Sequence, residues 1–163
     1  MSPSRGLPRP PAMADSTTGS ALQPERDNMR PIASERRTIL IVEDDNDLRA
    51  LIVLLFEDSD LDIIECNSAE SALATMLLRG RDVVMIFADV RLPGVMDGLD
   101  LAREAKVRWP HLTVALTSGN AGHRLQALPE GVIYMPKPWQ AEEVLALAER
   151  ARSDAKQRTL FGR

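Results

Sequence analysis

From Thr38 onward, short apolar runs alternate with stretches whose apolar residues recur at helical spacing. The runs are Thr38–Val42, Leu61–Cys66, Val83–Ala88, Thr113–Thr117 and Val132–Met135. Each is short and mostly apolar rather than alternating, which is how a strand reads when both faces of a parallel sheet are covered. Between them lie helical patterns. Asp47–Phe56 follows the N-cap candidates Asp44, Asp45 and Asn46. Ser68–Arg79 opens on a serine and stops at Gly80, and Gly98–Arg108 follows Asp97 and ends before Pro110. Trp139–Lys156 carries Ala, Val and Leu at positions 141, 144, 145, 147 and 148, a single apolar stripe. Ala121–Leu128, framed by Gly122 and Pro129, has only Leu125 and Leu128 as large anchors and is the weakest helix of the series. The order is (βα)5. Right-handed crossovers direct such a chain into an α/β fold, a doubly wound three-layer α/β/α sandwich on a five-stranded parallel sheet. Ligands of such sheets sit beyond the carboxyl ends of the strands.

Residues 1–37 lack this pattern. They hold Pro3, Pro8, Pro10, Pro11, Pro24 and Pro31 of the chain's 11 prolines, and six arginines against four acids. Such a composition cannot repay the entropy of ordering, so a disordered extension is expected, dispensable or with Met13 or Met29 as the true start. Residues 38–156 form the predicted domain, and 157–163 a short tail with no output domain after it.

The 163 residues are 44% hydrophobic and 27% charged, which excludes fully disordered, coiled-coil and disulfide-scaffold classes. The longest unbroken apolar stretches, Leu51–Phe56 and Val83–Ala88, are far short of the about twenty residues a bilayer span needs. The net charge of −4 gives no electrostatic case for nucleic acid as a direct partner. The N-terminus has no apolar h-region, and the single Cys66, set among Ile63, Ile64 and Glu65, reads as a buried small hydrophobe. A cytoplasmic protein without a membrane partner is expected.

The strand ends carry the candidate chemistry. The first run leads into Glu43-Asp44-Asp45, the third into Asp89, the fourth supplies Thr117 and the fifth Lys137. Asp45 and Asn46 read as ordinary N-caps. Glu43, Asp44 and Asp89 converge with a lysine and a hydroxyl, and clustered carboxylates repel unless a cation compensates them. A hard divalent ion bound by one or two carboxylates, a carbonyl and waters is how Mg²⁺ usually sits.

The segments Ile39-Leu40-Ile41-Val42-Glu43-Asp44-Asp45, Asp89-Val90-Arg91-Leu92-Pro93-Gly94-Val95-Met96-Asp97-Gly98, Leu116-Thr117-Ser118-Gly119 and Tyr134-Met135-Pro136-Lys137-Pro138 resemble the receiver domain of bacterial two-component response regulators. The resemblance implies the flavodoxin-like strand order 2-1-3-4-5. It implies Asp89 as phosphoacceptor, Asp44 as a direct Mg²⁺ ligand, Glu43 holding the ion largely through water, and the backbone carbonyl of Arg91 completing the set. Thr117 would hydrogen-bond the phosphoryl oxygen, Lys137 would pair with the phosphate, Tyr134 would be an aromatic switch, and the Lys137–Pro138 bond would be cis. The implied partners are a sensor histidine kinase or histidine phosphotransfer protein, an unknown downstream protein, and a second copy through the face of the fourth and fifth elements.

Three departures stand out. The loop after Asp89 is one residue longer than the commonest form, which should leave Asp89 in place and alter the loop's outer surface. Arg91 could cover the phosphate or point to solvent, and Ser118 stands where alanine or glycine is more usual. His111 and His123 lie in no phosphotransfer context and read as exposed residues. The expected protein is a signalling switch or relay that carries out its own phosphotransfer and autodephosphorylation rather than a conventional enzyme. The alternative is a receiver-fold interaction module independent of phosphorylation. An aspartyl phosphohydrolase is disfavoured, because the position two residues after Asp89, where such enzymes carry an acid, is Arg91.

Overall fold

The computed structural model describes residues 37–120 and 122–162, except for the side chain of His123. The expected extension lies, apart from Arg37, outside the described residues, as does the surface position expected of His123. Five strands and four α-helices follow in order: β1 Arg37–Val42, α1 Asn46–Leu54, β2 Leu61–Cys66, α2 Ala69–Arg79, β3 Val83–Asp89, α3 Gly98–Arg108, β4 Thr113–Ser118, a 3₁₀ segment Gly122–Ala127, β5 Val132–Pro136 and α4 Ala141–Phe161. All pairings are parallel and the strand order is β2-β1-β3-β4-β5. The fold class expected from the sequence is the one observed.

Side chains alternate across the sheet with a period of two. Leu40, Val42, Ile86, Ala88, Val114 and Leu116 pack with Ala72 and Met76 of α2 and Ala102 and Ala105 of α3. Ile39, Ile41, Met85, Phe87, Ala115 and Met135 pack on the other face with Ile52 of α1 and Val144, Ala148, Ala151 and Ala155 of α4. Strands β1, β3 and β4 are buried along nearly their whole length, as unbroken apolar runs require. The edge strands β2 and β5 are only partly covered, since each has a neighbour on one side alone.

Caps explain the helix limits. Asp45 accepts from the N–H groups of Asp47 and Leu48, Ser68 accepts from Ser71, and Asp97 forms a reciprocal capping box with Asp100. Three expectations are corrected. The first helix ends at Leu54 rather than Phe56, where the chain turns toward β2. Residues 122–127 are 3₁₀ rather than α-helical, because Leu125 is 38% exposed and almost nothing else there is buried to support an α-helix. The last helix runs to Phe161, so most of the expected tail is helical, and Gly162 closes it in the left-handed conformation at φ 66°. Cys66 is buried at 5% exposure, and burial pushes its thiol above the ordinary value. His111 is exposed.

Candidate functional site

The alternation that builds the α1/α4 face also builds the site. Ile39 and Ile41 are followed by Glu43, Met85 and Phe87 by Asp89, Ala115 by Thr117 and Met135 by Lys137. Each polar residue continues an apolar row of the same parity just where that row reaches the carboxyl edge. Asp89 pairs with Thr117 in register, the Val90 N–H donates to the Thr117 carbonyl at 2.9 Å, and the Lys137 N–H donates to the Ser118 carbonyl at 3.0 Å. The chain then turns through a cis Lys137–Pro138 bond.

Lys137 is the centre of the cluster. Its Nζ donates to Asp89 Oδ2 at 2.6 Å and to Glu43 Oε2 at 3.3 Å. Asp89 Oδ1 accepts the Arg91 N–H at 2.7 Å, and Glu43 Oε1 accepts the Asp45 N–H at 3.2 Å. The Glu43 side chain is 3% exposed, that of Asp89 12% and that of Lys137 24%. Burial raises the Glu43 carboxyl above its ordinary value, against the pull of the Asp45 N–H and the Lys137 charge, with Asp89 adding a smaller push upward. Burial opposes the charge on Lys137, but the Asp89 hydrogen bond and the charges of Asp89 and Glu43 outweigh it and hold the ammonium above its ordinary value.

Thr117 Oγ1 is buried with no hydrogen-bond partner among the described residues. An orphaned hydroxyl beside the Asp89 carboxylate suits a group that arrives from outside. Without such a group the hydroxyl is a liability. Thr117→Val should therefore leave the melting temperature of the metal-free protein unchanged or raised, by up to about 1 kcal/mol of stability. A clear loss in thermal unfolding would show that the hydroxyl has a partner.

Asp44 falls outside the alternation and is exposed, with no hydrogen bond or ion pair among the described residues. No three His, Cys, Asp or Glu side chains among the described residues are placed to hold a metal together. The donor chemistry still fits Mg²⁺, which keeps several waters and needs one or two carboxylates of the hard-oxygen kind that Glu43 and Asp89 offer. The Arg91 side chain is exposed. Tyr134 is half-buried and its hydroxyl donates to the Ser118 carbonyl at 3.2 Å, so its tip is tied to β4 rather than loose at the surface.

Four supporting residues escape a linear reading. Arg49 of α1 donates from Nη1 to the Glu43 carbonyl at 2.7 Å and from Nε to Glu65 at 3.1 Å. Glu70 of α2 accepts the N–H groups of Val95 at 2.7 Å and Met96 at 2.9 Å, anchoring the lengthened loop, and these bonds hold its carboxyl below the ordinary value. Trp139 meets Phe87 edge-on at 5.5 Å and fixes the chain just beyond Lys137. Gly98 lies against the Asp89 peptide, where a Cβ would stand 2.1 Å from the Asp89 carbonyl oxygen. The Asp97-Gly98 pair ahead of a helix is a local signal and Arg49 reaches the nearby Glu43 carbonyl, but the contacts of Arg49 with Glu65, of Glu70 with Val95 and of Trp139 with Phe87 span long sequence separations.

A family model for the response regulator receiver domain matches residues 39–149. The chain belongs to this family, whose members are phosphoacceptors that bind Mg²⁺ at an acidic site and work with histidine kinases or phosphotransfer proteins. Among its relatives, the DNA-binding transcriptional regulator NtrC of Salmonella typhimurium is 30% identical over 122 residues, 73% of this chain and 25% of that protein. The transcriptional regulatory protein AruR of Pseudomonas aeruginosa is 32% identical over 116 residues, 68% of this chain and 47% of that protein. The chain thus spans about a quarter of the NtrC relatives it matches. Among solved structures, NtrX from Brucella abortus superposes with a TM-score of 0.64 at 30% identity, over 78% of this chain and 29% of that one. The receiver domain of an HD domain-containing protein from Pseudomonas fluorescens does so with 0.66 at 25% identity, over 75% and 98%. No helix among the described residues is long and apolar enough to cross a membrane.

Proposed function

We propose that this chain is a phosphorylation-dependent signalling switch or relay in which Asp89 accepts a phosphoryl group from a phosphohistidine of a kinase or phosphotransfer protein. The observation that supports it is the Lys137 ammonium held against Asp89 and Glu43 beside the unpartnered Thr117 hydroxyl. An Asp89 carboxylate oxygen attacks phosphorus in line. The P–N bond breaks, its electron pair returns to the imidazole nitrogen, and an acyl phosphate forms. A carboxylate needs no base for this attack; what opposes it is the meeting of two anions. Lys137 neutralises part of that charge, and Thr117 hydrogen-bonds a phosphoryl oxygen. Glu43, Asp44, Asp89 and the Arg91 carbonyl are the groups that would hold Mg²⁺, which when bound supplies further neutralisation of the phosphoryl oxygens. Later attack of water on phosphorus releases inorganic phosphate and restores the carboxylate.

The readout is a shift between two states. Thr117 is drawn toward the phosphoryl group. Tyr134, whose hydroxyl rests on the carbonyl of the neighbouring Ser118, exchanges that contact for an inward position, which changes the face offered to a downstream protein.

Incubation with acetyl phosphate and Mg²⁺ followed by intact-mass measurement tests the reading. One added phosphoryl group is expected, labile to base, and absent from Asp89→Asn. An unmodified wild type, or an adduct that survives Asp89→Asn, would favour the phosphorylation-independent interaction module.

A further inference from the structure

We propose that a cleft at the amino edge of the sheet, opposite the edge bearing Asp89, binds a di- or triphosphate group. The cleft holds about 380 Å³ and opens where β1 and β3 begin and just before β4. That volume falls in the lower part of the range of roughly 300–1,000 Å³ typical of small-molecule sites. It is lined by Arg37, Arg81, Arg108, Arg158 and His111, with no Asp or Glu among its lining residues, in a chain whose net charge is −4. Arg81 and Arg158 bring two guanidinium groups without an ion-pair partner among the described residues to one concavity, where like charges repel unless an anion joins them. Guanidinium forks match phosphate oxygens in pairs, and the two charges of Arg81 and Arg158 already call for more than a single monoanion carries.

Helix ends do not account for this cluster. Arg108 and Arg158 stand in the last turns of α3 and α4, where a cation complements the exposed carbonyls. Arg37, however, opens a strand, and Arg81 lies in the loop before β3. Among the described residues neither Arg81 nor Arg158 has an ion-pair partner, and Arg108 has only Glu104, an exposed i,i+4 pair worth little. The Arg37 guanidinium is steered to the end of α4 by a 2.8 Å bond to Thr159 Oγ1. Trp109 adds a half-buried aromatic wall. Gly80 makes room for it, since a Cβ there would lie 2.7 Å from the indole nitrogen. Arginines with an aromatic surface suit a phosphate chain, either free or carried by a nucleotide whose base could lie on the indole.

Calorimetric titration of the full chain with pyrophosphate, and separately with ADP, tests this. Saturable binding of at least one probe is expected, weakened by about tenfold or more in the double variant Arg81→Glu, Arg158→Glu, since each lost charge-assisted contact is worth a substantial part of a tenfold step. Tighter binding of ADP assigns the site to a nucleotide; equal affinity assigns it to the oligophosphate alone. The double variant should still take up phosphate at Asp89, because neither residue touches that site. If it fails to fold, Arg81→Gln, a change at an exposed loop residue, replaces it with a smaller expected loss. Absence of saturable binding for both probes, or unchanged affinity in a folded variant, overturns the proposal whatever happens at Asp89.

Discussion

Without Mg²⁺, Lys137→Ala should be less stable than the wild type by about 2 kcal/mol at neutral pH, and the deficit should shrink on acidification. Removing one partner of a buried ion pair typically costs about 3–5 kcal/mol, reduced here because Lys137 is a quarter exposed. The carboxylates left behind are nearly buried and face each other. Glu43 already titrates above its ordinary value, chiefly through burial, and Lys137 is among the groups that restrain that rise. Deleting the ammonium raises the Glu43 value further. A folded-state value above the unfolded one means that the unfolded chain gives up its proton more readily. The penalty is therefore absent below the ordinary carboxyl range, grows as pH rises from that range toward the folded value, and is complete above it. Lys137 itself, shifted upward, is charged in the wild type throughout this window, so its stabilisation is present there and fades only in alkali. Urea unfolding in EDTA at neutral pH and at about pH 4 reads the effect. A deficit that does not change with pH would mean that lost packing, not uncompensated charge, is responsible. Mg²⁺ should raise the midpoint of the variant more than that of the wild type, since the ion replaces the missing cation.

Gly98→Ala should damage fold and phosphorylation together. The added Cβ would stand 2.1 Å from the Asp89 carbonyl oxygen, 2.9 Å from its carbon and 2.9 Å from the Val90 Cα. These are backbone atoms at the end of a central strand, so no rotamer change relieves the clash. Overpacking of a core ordinarily costs about 1–3 kcal/mol, and the upper part of that range or beyond is expected here. The Gly98 N–H also donates to the Val90 carbonyl at 2.9 Å, so relief by moving α3 weakens the bond that closes the loop. Because the displaced peptide belongs to Asp89, the proposed acceptor, labelling by acetyl phosphate should slow markedly. Gly119→Ala is the control, since nothing lies within 4 Å of its Cβ, and its urea midpoint should match the wild type. A Gly98→Ala protein with an unchanged midpoint and labelling rate would mean that the contact at the Asp89 peptide is readily relieved.

The strand and helix series was legible because covered strands leave unbroken apolar runs and helices leave stripes and caps. Where the reading missed, local signal and packing disagreed. Leu125 and Leu128 offer helical anchors, but residues 122–127 bury too little surface to complete an α-helix. The last helix continues because Ala151 and Ala155 extend the stripe of Val144 and Ala148, a pattern that small side chains make easy to overlook.

By itself the sequence determined which side chains reach the carboxyl edge. A strict period of two delivers Glu43, Asp89, Thr117 and Lys137 to the same face as the apolar residues before them. Tertiary structure alone decided how they meet: that Lys137 bridges Asp89 and Glu43, that Asp44 stands outside that cluster, and that Glu70 and Gly98 hold the loop after Asp89. The reason is range. Periodicity acts between neighbours along the chain, whereas these contacts cross from strand to strand and helix to loop and exist only after the sheet has closed over its core.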